Sequence, residues 1–193
     1  DAGFGHRSAA KAIAAVLQEL HPADCVVEIV NPLLDKRVPA ILRRSGASYD
    51  RLVREMPHLY KLNYEVSDAG APSAMLHGTV AALLFEAMSD LVQRFQPDAI
   101  VTPYPLYQAP LAVLFALTRR NIPLLTVVTD LAPVHRTWFH KAADLCLVPM
   151  PAVQEQALEC GLAPDRVVVT GIPVNPNLTR NGRKPAAIRS ELG

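Results

Sequence analysis

Short apolar runs alternate with helical stretches along this chain of 193 residues. The runs are continuously apolar instead of alternating with polar residues, which is typical of strands that are buried on both faces. Such strands, separated by helices, predict a parallel sheet with helices on both sides. We therefore expect an α/β fold with a doubly wound, mainly parallel, Rossmann-like sheet. The predicted strands are residues 25–30, 98–102, 124–130, 145–149 and 166–171.

The stretches between these strands keep the 3.6-residue apolar spacing of amphipathic helices. The turn-rich residues 63–73, which include "SDAGAPS", are predicted to be irregular. We expect one domain over residues 1–180, with residues 181–193 starting a linker helix. The predicted helices cover residues 7–20, about 38–55, 74–95, 111–119, 151–160 and 185–192.

Composition excludes several classes of protein. Half of the residues are hydrophobic and the formal net charge is +1, so the chain is globular and lacks a global electrostatic attraction to nucleic acid. Its three cysteines have no CxxC spacing, which indicates reduced thiols in a cytosolic protein. The most apolar stretches fall short of the roughly 20 residues that a membrane-spanning helix needs.

The opening stretch "DAGFGHRSAAKAI" holds the first candidate for chemistry. In doubly wound sheets, ligands bind beyond the carboxyl ends of the strands, and the loop after the first strand is a preferred place. No strand precedes this loop, so we expect the first strand to be missing. Gly3 and Gly5 allow a tight turn before a helix, and His6 lies at the start of that helix. The helix dipole disfavours imidazolium there, which predicts a neutral ring that can act as a general base.

Two other interpretations of this loop stay open. His6 could simply cap the helix. Alternatively, Gly3, Gly5 and Ser8 approximate a dinucleotide-binding fingerprint, with Glu28 about 20 residues further on. Glu28, however, falls inside a predicted strand and not at its end, and a histidine is unusual in a phosphate-binding turn.

A second motif follows the strand that ends at Asp130. The stretch "TVVTDLAPVHRTWFHKAADLCLVP" places His135, Trp138 and His140 in a loop that should face the same cleft. Metal binding is a poor interpretation because the histidines are five residues apart and no Cys or carboxylate completes a ligand set. Trp138 and Phe139 could instead be ordinary core residues.

These motifs resemble monogalactosyldiacylglycerol synthases and the related bacterial processive diacylglycerol glucosyltransferases. The similar segments are "GFGHRSAAKAI", "QPDAIVTPYPL", "TDLAPVHRTWFHKAADLCLVP" and "GLAPDRVVVTGIPVNP", in that order. The resemblance implies the N-terminal, lipid-acceptor half of a GT-B glycosyltransferase. A C-terminal domain that binds the UDP-sugar would then be a missing partner, and the isolated chain is expected to be inactive.

The resemblance also implies an activity. A hexose would pass with inversion from UDP-galactose or UDP-glucose to the hydroxyl of diacylglycerol, with no required metal or cofactor. His6 would be the catalytic base. The implied acceptor-side residues are Gly3, Phe4, Gly5, Arg7, Ser8, Pro105, Asp130, His135, Trp138 and His140, and the interdomain cleft would include Gly171, Pro173 and Asn175.

This chain departs from the family pattern at two of those positions. Phe4 replaces the middle one of three glycines, which narrows the conformational freedom of the loop and adds an apolar side chain beside the base. Asn175 stands where arginine is common, which puts a contact with an anionic group in doubt.

Membrane association is expected to be peripheral, on the cytoplasmic face. Residues 38–64 mix apolar side chains with Arg43, Arg44, Arg51, Arg54 and Lys61, a combination that can bind anionic lipids. An amphipathic helix packed on its own sheet explains the same pattern. Trp138, with an apolar ring and one N–H, is expected at headgroup level. Alternatives of another class are a dinucleotide-binding oxidoreductase domain and a non-catalytic module that binds lipid or nucleotide.

Overall fold

The computed structural model describes residues 4–43, 70–180, 182 and 185–192. The described chain alternates helices with four short strands. The helices are α1 (Phe4–Leu20), α2 (Ala40–Arg43), α3 (Gly70–Phe95), α4 (Gln108–Thr118), α5 (Pro151–Glu159), α6 (Pro176–Arg180) and α7 (Pro185–Leu192). The strands are β1 (Ile100–Thr102), β2 (Leu124–Val127), β3 (Leu145–Val148) and β4 (Val167–Val169).

The four strands form one parallel sheet in the order β1-β2-β3-β4. Each strand pairs with the next one along the chain. Helix α4 lies between β1 and β2 and helix α5 between β3 and β4, whereas the connection from β2 to β3 contains a 3-10 turn, Arg136–Trp138. The register aligns Ile100 with Leu124 and Cys146 with Val167. This parallel α/β arrangement confirms the predicted Rossmann-like fold class and is consistent with the N-terminal half of a GT-B fold.

Two apolar clusters hold the sheet between its helices. One joins α3 and α4 to the start of β2 through residues such as Leu84, Leu114 and Leu124. The other joins β3 to α5 and includes Trp138 and Val153. These side chains are at most 2 % exposed, so their burial supplies the main favourable contribution to folding.

The predicted strand at residues 25–30 is wrong. This segment follows α1 without regular secondary structure and pairs with no described strand. Several of its apolar side chains are solvent-exposed, with Val26 at 90 % and Ile29 at 49 %. An apolar run becomes a strand only when a neighbouring edge satisfies its backbone groups, and the described sheet offers this segment none.

The helix predicted over residues 74–95 is longer than expected. It begins at Gly70, so residues 70–73 are helical and not irregular. Pro72 is compatible with this because the first turn of a helix has no internal partner for its N–H groups. Residues 63–69, which belong to the same irregular prediction, lie outside the described residues.

The segment of residues 38–64, which mixes basic and apolar side chains, is described only over residues 38–43. Val38 is 1 % exposed and belongs to the core cluster around α3, while Leu42 packs against that cluster. This supports the packed alternative for residues 38–43. Arg44, Arg51, Arg54 and Lys61 lie outside the described residues, so binding of anionic lipid stays a prediction. None of the described helices combines the length and the hydropathy that crossing a bilayer requires.

The three cysteines are free thiols. Cys146 is buried in β3, and this burial raises the pKa of its thiol to about 12. Cys25 and Cys160 are half-buried.

The domain boundary at residues 180/181 stays a prediction. Arg180, the last residue before this boundary, forms an ion pair of 2.6 Å with Glu19 of α1.

Candidate functional site

The candidate site lies at the carboxyl edge of the sheet, where β1 and β2 end. Tyr104 follows β1 by two residues, and Thr129 follows β2 by two residues. His6, the third residue of α1, meets both. Because parallel strands end at one edge of a sheet, residues far apart in sequence converge there.

His6 contacts the side chains of three residues in these loops. Its Nδ1 atom lies 2.8 Å from Thr129 Oγ1, in a hydrogen bond that joins residues 123 positions apart. The ring packs edge-on against Tyr104, with centroids 5.1 Å apart, and is tilted against Trp138 at 5.8 Å. The interpretation of His6 as a simple helix cap does not account for these contacts with other loops.

Burial lowers the pKa of His6 below its ordinary value of 6.5. The nearby Asp130 carboxylate and the Pro103 carbonyl act in the opposite direction, but more weakly than burial. We predicted a neutral ring from the helix dipole, and the structure supplies a second cause, desolvation. A neutral imidazole retains a nitrogen lone pair, which a general base needs.

Trp138 is a structural centre of the site. Its side chain is 1 % exposed and packs in the cluster beside β3, while its Nε1 donates a hydrogen bond of 2.8 Å to Asp130 Oδ2. This burial does not agree with a position at membrane headgroup level, since such a position requires an exposed ring. Phe139 is also buried, at 6 %. Trp138 and Phe139 are therefore both core residues, and Trp138 also contacts the His6 ring.

The loop after β2, residues 128–140, is held from two sides by glutamines. Gln108, fully buried at the start of α4, donates from Nε2 to the carbonyls of Trp138 at 3.0 Å and Thr137 at 3.3 Å. Gln156 of α5 accepts from the Val134 amide at 3.0 Å and donates to its carbonyl at 2.5 Å. These bonds satisfy loop backbone groups that the sheet does not reach, and they fix the loop in place.

The two histidines of this loop stabilise local turns. His135 Nδ1 accepts from the Thr137 amide at 3.1 Å and so caps the short 3-10 turn Arg136–Trp138. His140 Nδ1 accepts from the Ala142 amide at 3.2 Å. Both side chains are half-buried. Their predicted role on the acceptor side stays a prediction.

The predicted residues of the first loop form the start of α1. The helix begins at Phe4, and Gly5, Arg7 and Ser8 are exposed in its first turns. Gly3 lies outside the described residues. Pro105 begins the 3-10 turn Pro105–Tyr107, directly after Tyr104, and is half-buried. Gly5, Arg7 and Ser8 thus lie on the helix that carries His6, and Pro105 follows Tyr104, which contacts the His6 ring.

The predicted cleft residues lie in the loop after β4, residues 170–175. Gly171 has a φ of +84°, a backbone conformation that favours glycine. Asn175 is exposed, and its Oδ1 accepts from the Asn177 amide at 2.9 Å. Pro173 is half-buried. This loop also exposes apolar side chains, with Val174 at 52 % and Ile172 at 36 %.

The sequence analysis did not identify four residues that build the site. Thr129 and Tyr104 touch His6, and Gln108 and Gln156 hold the loop that carries Trp138. Only the position of Tyr104 just after one predicted strand, and of Thr129 at the end of another, could have indicated them. The glutamines looked like ordinary polar helix residues, since their partners lie 22 to 30 residues away.

Candidate metal ligands do not cluster in the site. Within the described residues, no three His, Cys, Asp or Glu side chains lie close enough together to hold a metal ion. Glu28, the acidic residue of the dinucleotide alternative, is exposed in the unpaired segment after α1.

Comparisons with known proteins point to one family. The sequence model of the monogalactosyldiacylglycerol (MGDG) synthase family matches residues 6–174. The chain is 33 % identical over 195 residues to the MGDG synthase of Spinacia oleracea and 32 % over 198 residues to a probable MGDG synthase of Glycine max. It is 30 % identical over 195 residues to MGDG synthase 1 of Arabidopsis thaliana. These matches cover 100 % of this chain but only 36 to 37 % of each relative.

The names of these relatives correct one expectation. All three are chloroplastic proteins, which contradicts the predicted location on the cytoplasmic face of a membrane. That prediction was based on the cysteine pattern, which does not identify a compartment. The family match extends from His6 through the loop after β2 to Val174, and so includes His6 and the residues that contact it. The chain belongs to the monogalactosyldiacylglycerol synthase family.

Proposed function

We propose that this chain forms the acceptor side of a glycosyltransferase that moves a hexose from a UDP-sugar to diacylglycerol. The proposal is carried by the placement of His6, a half-buried imidazole at the carboxyl edge of the sheet whose pKa is lowered by burial. The family match and the names of the relatives, which specify a monogalactosylated diacylglycerol as product, support the acceptor and the sugar.

In the proposed reaction, the diacylglycerol hydroxyl attacks the anomeric carbon of the sugar. The new C–O bond forms as the bond between that carbon and the phosphate oxygen breaks, and UDP leaves with the electron pair. His6 accepts the hydroxyl proton during the attack, because an alcohol is a weak nucleophile while it keeps its proton. A single displacement inverts the anomeric configuration, so an α-linked donor gives a β-glycoside.

The surroundings of His6 suit this role. Burial keeps the free ring neutral and ready to accept a proton, whereas the Asp130 carboxylate favours the imidazolium once it forms. Tyr104 and Trp138 hold the plane of the ring from two directions. A base that is already oriented avoids the entropy loss of ordering it during the reaction.

The sugar nucleotide is expected to bind mainly to protein regions beyond this chain, since the chain spans less than two fifths of the relatives' length. The exposed loop of residues 170–175 is a candidate contact for such a region because Val174 and Ile172 leave apolar surface uncovered. Gly171, Pro173 and Asn175 belong to this proposed contact.

The test is a chimera in which this chain replaces the matching region of the Spinacia oleracea synthase. Diacylglycerol is supplied with UDP-galactose or UDP-glucose, and the glycolipid product and its anomer are identified. We expect transfer, with galactose preferred and a β-linkage formed. A folded chimera that binds diacylglycerol but transfers neither sugar, while the parent synthase is active, would favour a non-catalytic module and contradict the proposal.

A further inference from the structure

Two polar groups lie against the His6 ring: the Thr129 hydroxyl, with 2.8 Å between Oγ1 and Nδ1, and the Pro103 carbonyl, which also forms a hydrogen bond with the ring. Thr129 lies on a fixed part of the backbone. The amide of the preceding Val128 donates to the Leu147 carbonyl at 2.8 Å, which extends the pairing of β2 with β3 past the end of the strand. The hydroxyl is therefore held by the sheet and not by a mobile loop.

This contact matters because the two nitrogens of a neutral imidazole differ. One carries a proton and donates, and the other keeps its lone pair and accepts. A general base has to present the lone pair to its substrate, so the proton must sit on the opposite nitrogen. The hydrogen bond made by one nitrogen decides which tautomer the ring adopts.

We propose that Thr129 is a positioning residue for His6: its hydroxyl accepts a hydrogen bond from Nδ1–H and leaves the lone pair of Nε2 free for the acceptor alcohol. This inference rests on the proposed function for its catalytic consequence, but the tautomer can be measured without any activity. The uncharged hydroxyl orients the ring without adding a second negative charge beside Asp130.

The tautomer test uses the chain itself with nitrogen-15 labelling of histidine. At a pH where His6 is neutral, we expect the pyridine-like shift on Nε2 and the pyrrole-like shift on Nδ1. Thr129→Val, which keeps the shape but removes the hydroxyl, should mix the two tautomers, and Thr129→Ser should restore the wild-type pattern. A pyridine-like Nδ1 in the wild type, with Nε2 donating to the Pro103 carbonyl, would overturn the proposal.

The kinetic test uses the chimera with the Spinacia oleracea synthase. Thr129→Val should lower kcat about five- to tenfold with little change in KM for diacylglycerol, the amount expected from one lost hydrogen bond. Thr129→Ser should recover most of the rate. Thr126→Val is the matched control, since Thr126 lies buried in β2 and its hydroxyl has no partner among the described residues.

The two tests separate the possible failures. A wild-type chimera without transfer contradicts the proposed function, while the spectrum of the chain still decides the role of Thr129. Normal kcat in Thr129→Val, with an unchanged tautomer, would show that the hydroxyl has no positioning role. If Thr129→Val does not fold, the wild-type spectrum and the Thr129→Ser rate still decide the question.

Discussion

The loops after β2 and β4 leave the same edge of the sheet, but they are built differently. Residues 128–140 are held by Gln108, Gln156 and Asp130 and bury Trp138. Residues 170–175 expose Val174 and turn through Gly171. The loop of residues 128–140 is held entirely by groups of this chain, whereas the loop of residues 170–175 leaves apolar surface uncovered. The comparison shows that the site around His6 is preformed, whereas the loop of residues 170–175 leaves apolar surface open to a further contact.

The largest stability effect is expected for Trp138→Ala in the buried loop. Removing a fully buried indole leaves a cavity, so the free energy of unfolding should fall by about 3–5 kcal/mol. Urea denaturation followed by circular dichroism measures this. Trp138→Phe, which fills most of the space, should cost far less. A loss below about 1 kcal/mol for Trp138→Ala would show that the loop is not part of the core.

Gln156→Ala tests the hydrogen bonds that hold the same loop. The substitution removes the hydrogen-bond partner of both the N–H and the C=O of Val134. The free energy of unfolding should therefore fall by about 1–3 kcal/mol. Gln18→Ala on the exposed part of α1 is the matched control and should change stability by less than about 0.5 kcal/mol. Equal effects of the two substitutions would contradict the assignment of Gln156 as a loop brace.

Gly171→Ala probes the open loop. No described atom lies within 4 Å of the added methyl group, so the methyl group fits without a clash. The positive φ of residue 171 is unfavourable for alanine and should lower the free energy of unfolding by about 1 kcal/mol. Gly78→Ala in α3 has equally open space but helical geometry, and it should be stabilising by about 0.5–1 kcal/mol. Thermal unfolding of the two variants checks the opposite signs. A stabilising Gly171→Ala would mean that the turn does not need glycine.

The smallest expected effect is a pH dependence that comes from His6. Because burial lowers its folded pKa, the unfolded chain binds the proton more readily, and stability should fall as the pH drops below about 6.5. The decline should stop below the folded pKa, where both states are protonated. Unfolding of the wild type and of His6→Gln across this range isolates the contribution. A wild type that gains stability relative to His6→Gln on acidification would contradict the lowered pKa.

Local patterns predicted most of the fold correctly. The helix over residues 74–95 and the strands around residues 124–130 and 145–149 have strong periodicity or apolar character of their own, and all three formed. The apolar run at residues 25–30 has the same local character but no paired edge, so it stays unpaired among the described residues. Pairing depends on the whole sheet, which a local pattern does not contain.

The candidate site was predictable only in part for a similar reason. His6, Asp130 and Trp138 were identified from the two motifs, and the structure brings them together. The contact of His6 with Thr129 links residues 123 positions apart, and no spacing rule reaches that far. The location of Trp138 depended on which residues surround it, and the buried environment overrode its suitability for a membrane surface.

The most direct test of the account is the turnover of the chimera with the Spinacia oleracea synthase when His6 is replaced by Ala. If His6 is the general base, kcat should fall by about 10² to 10⁴ while the chimera stays folded and still binds diacylglycerol. Lys11→Ala, an exposed position further along α1, is the control and should keep the wild-type rate. Turnover of His6→Ala within about threefold of the wild type would contradict the central claim that this imidazole removes the proton from the acceptor alcohol.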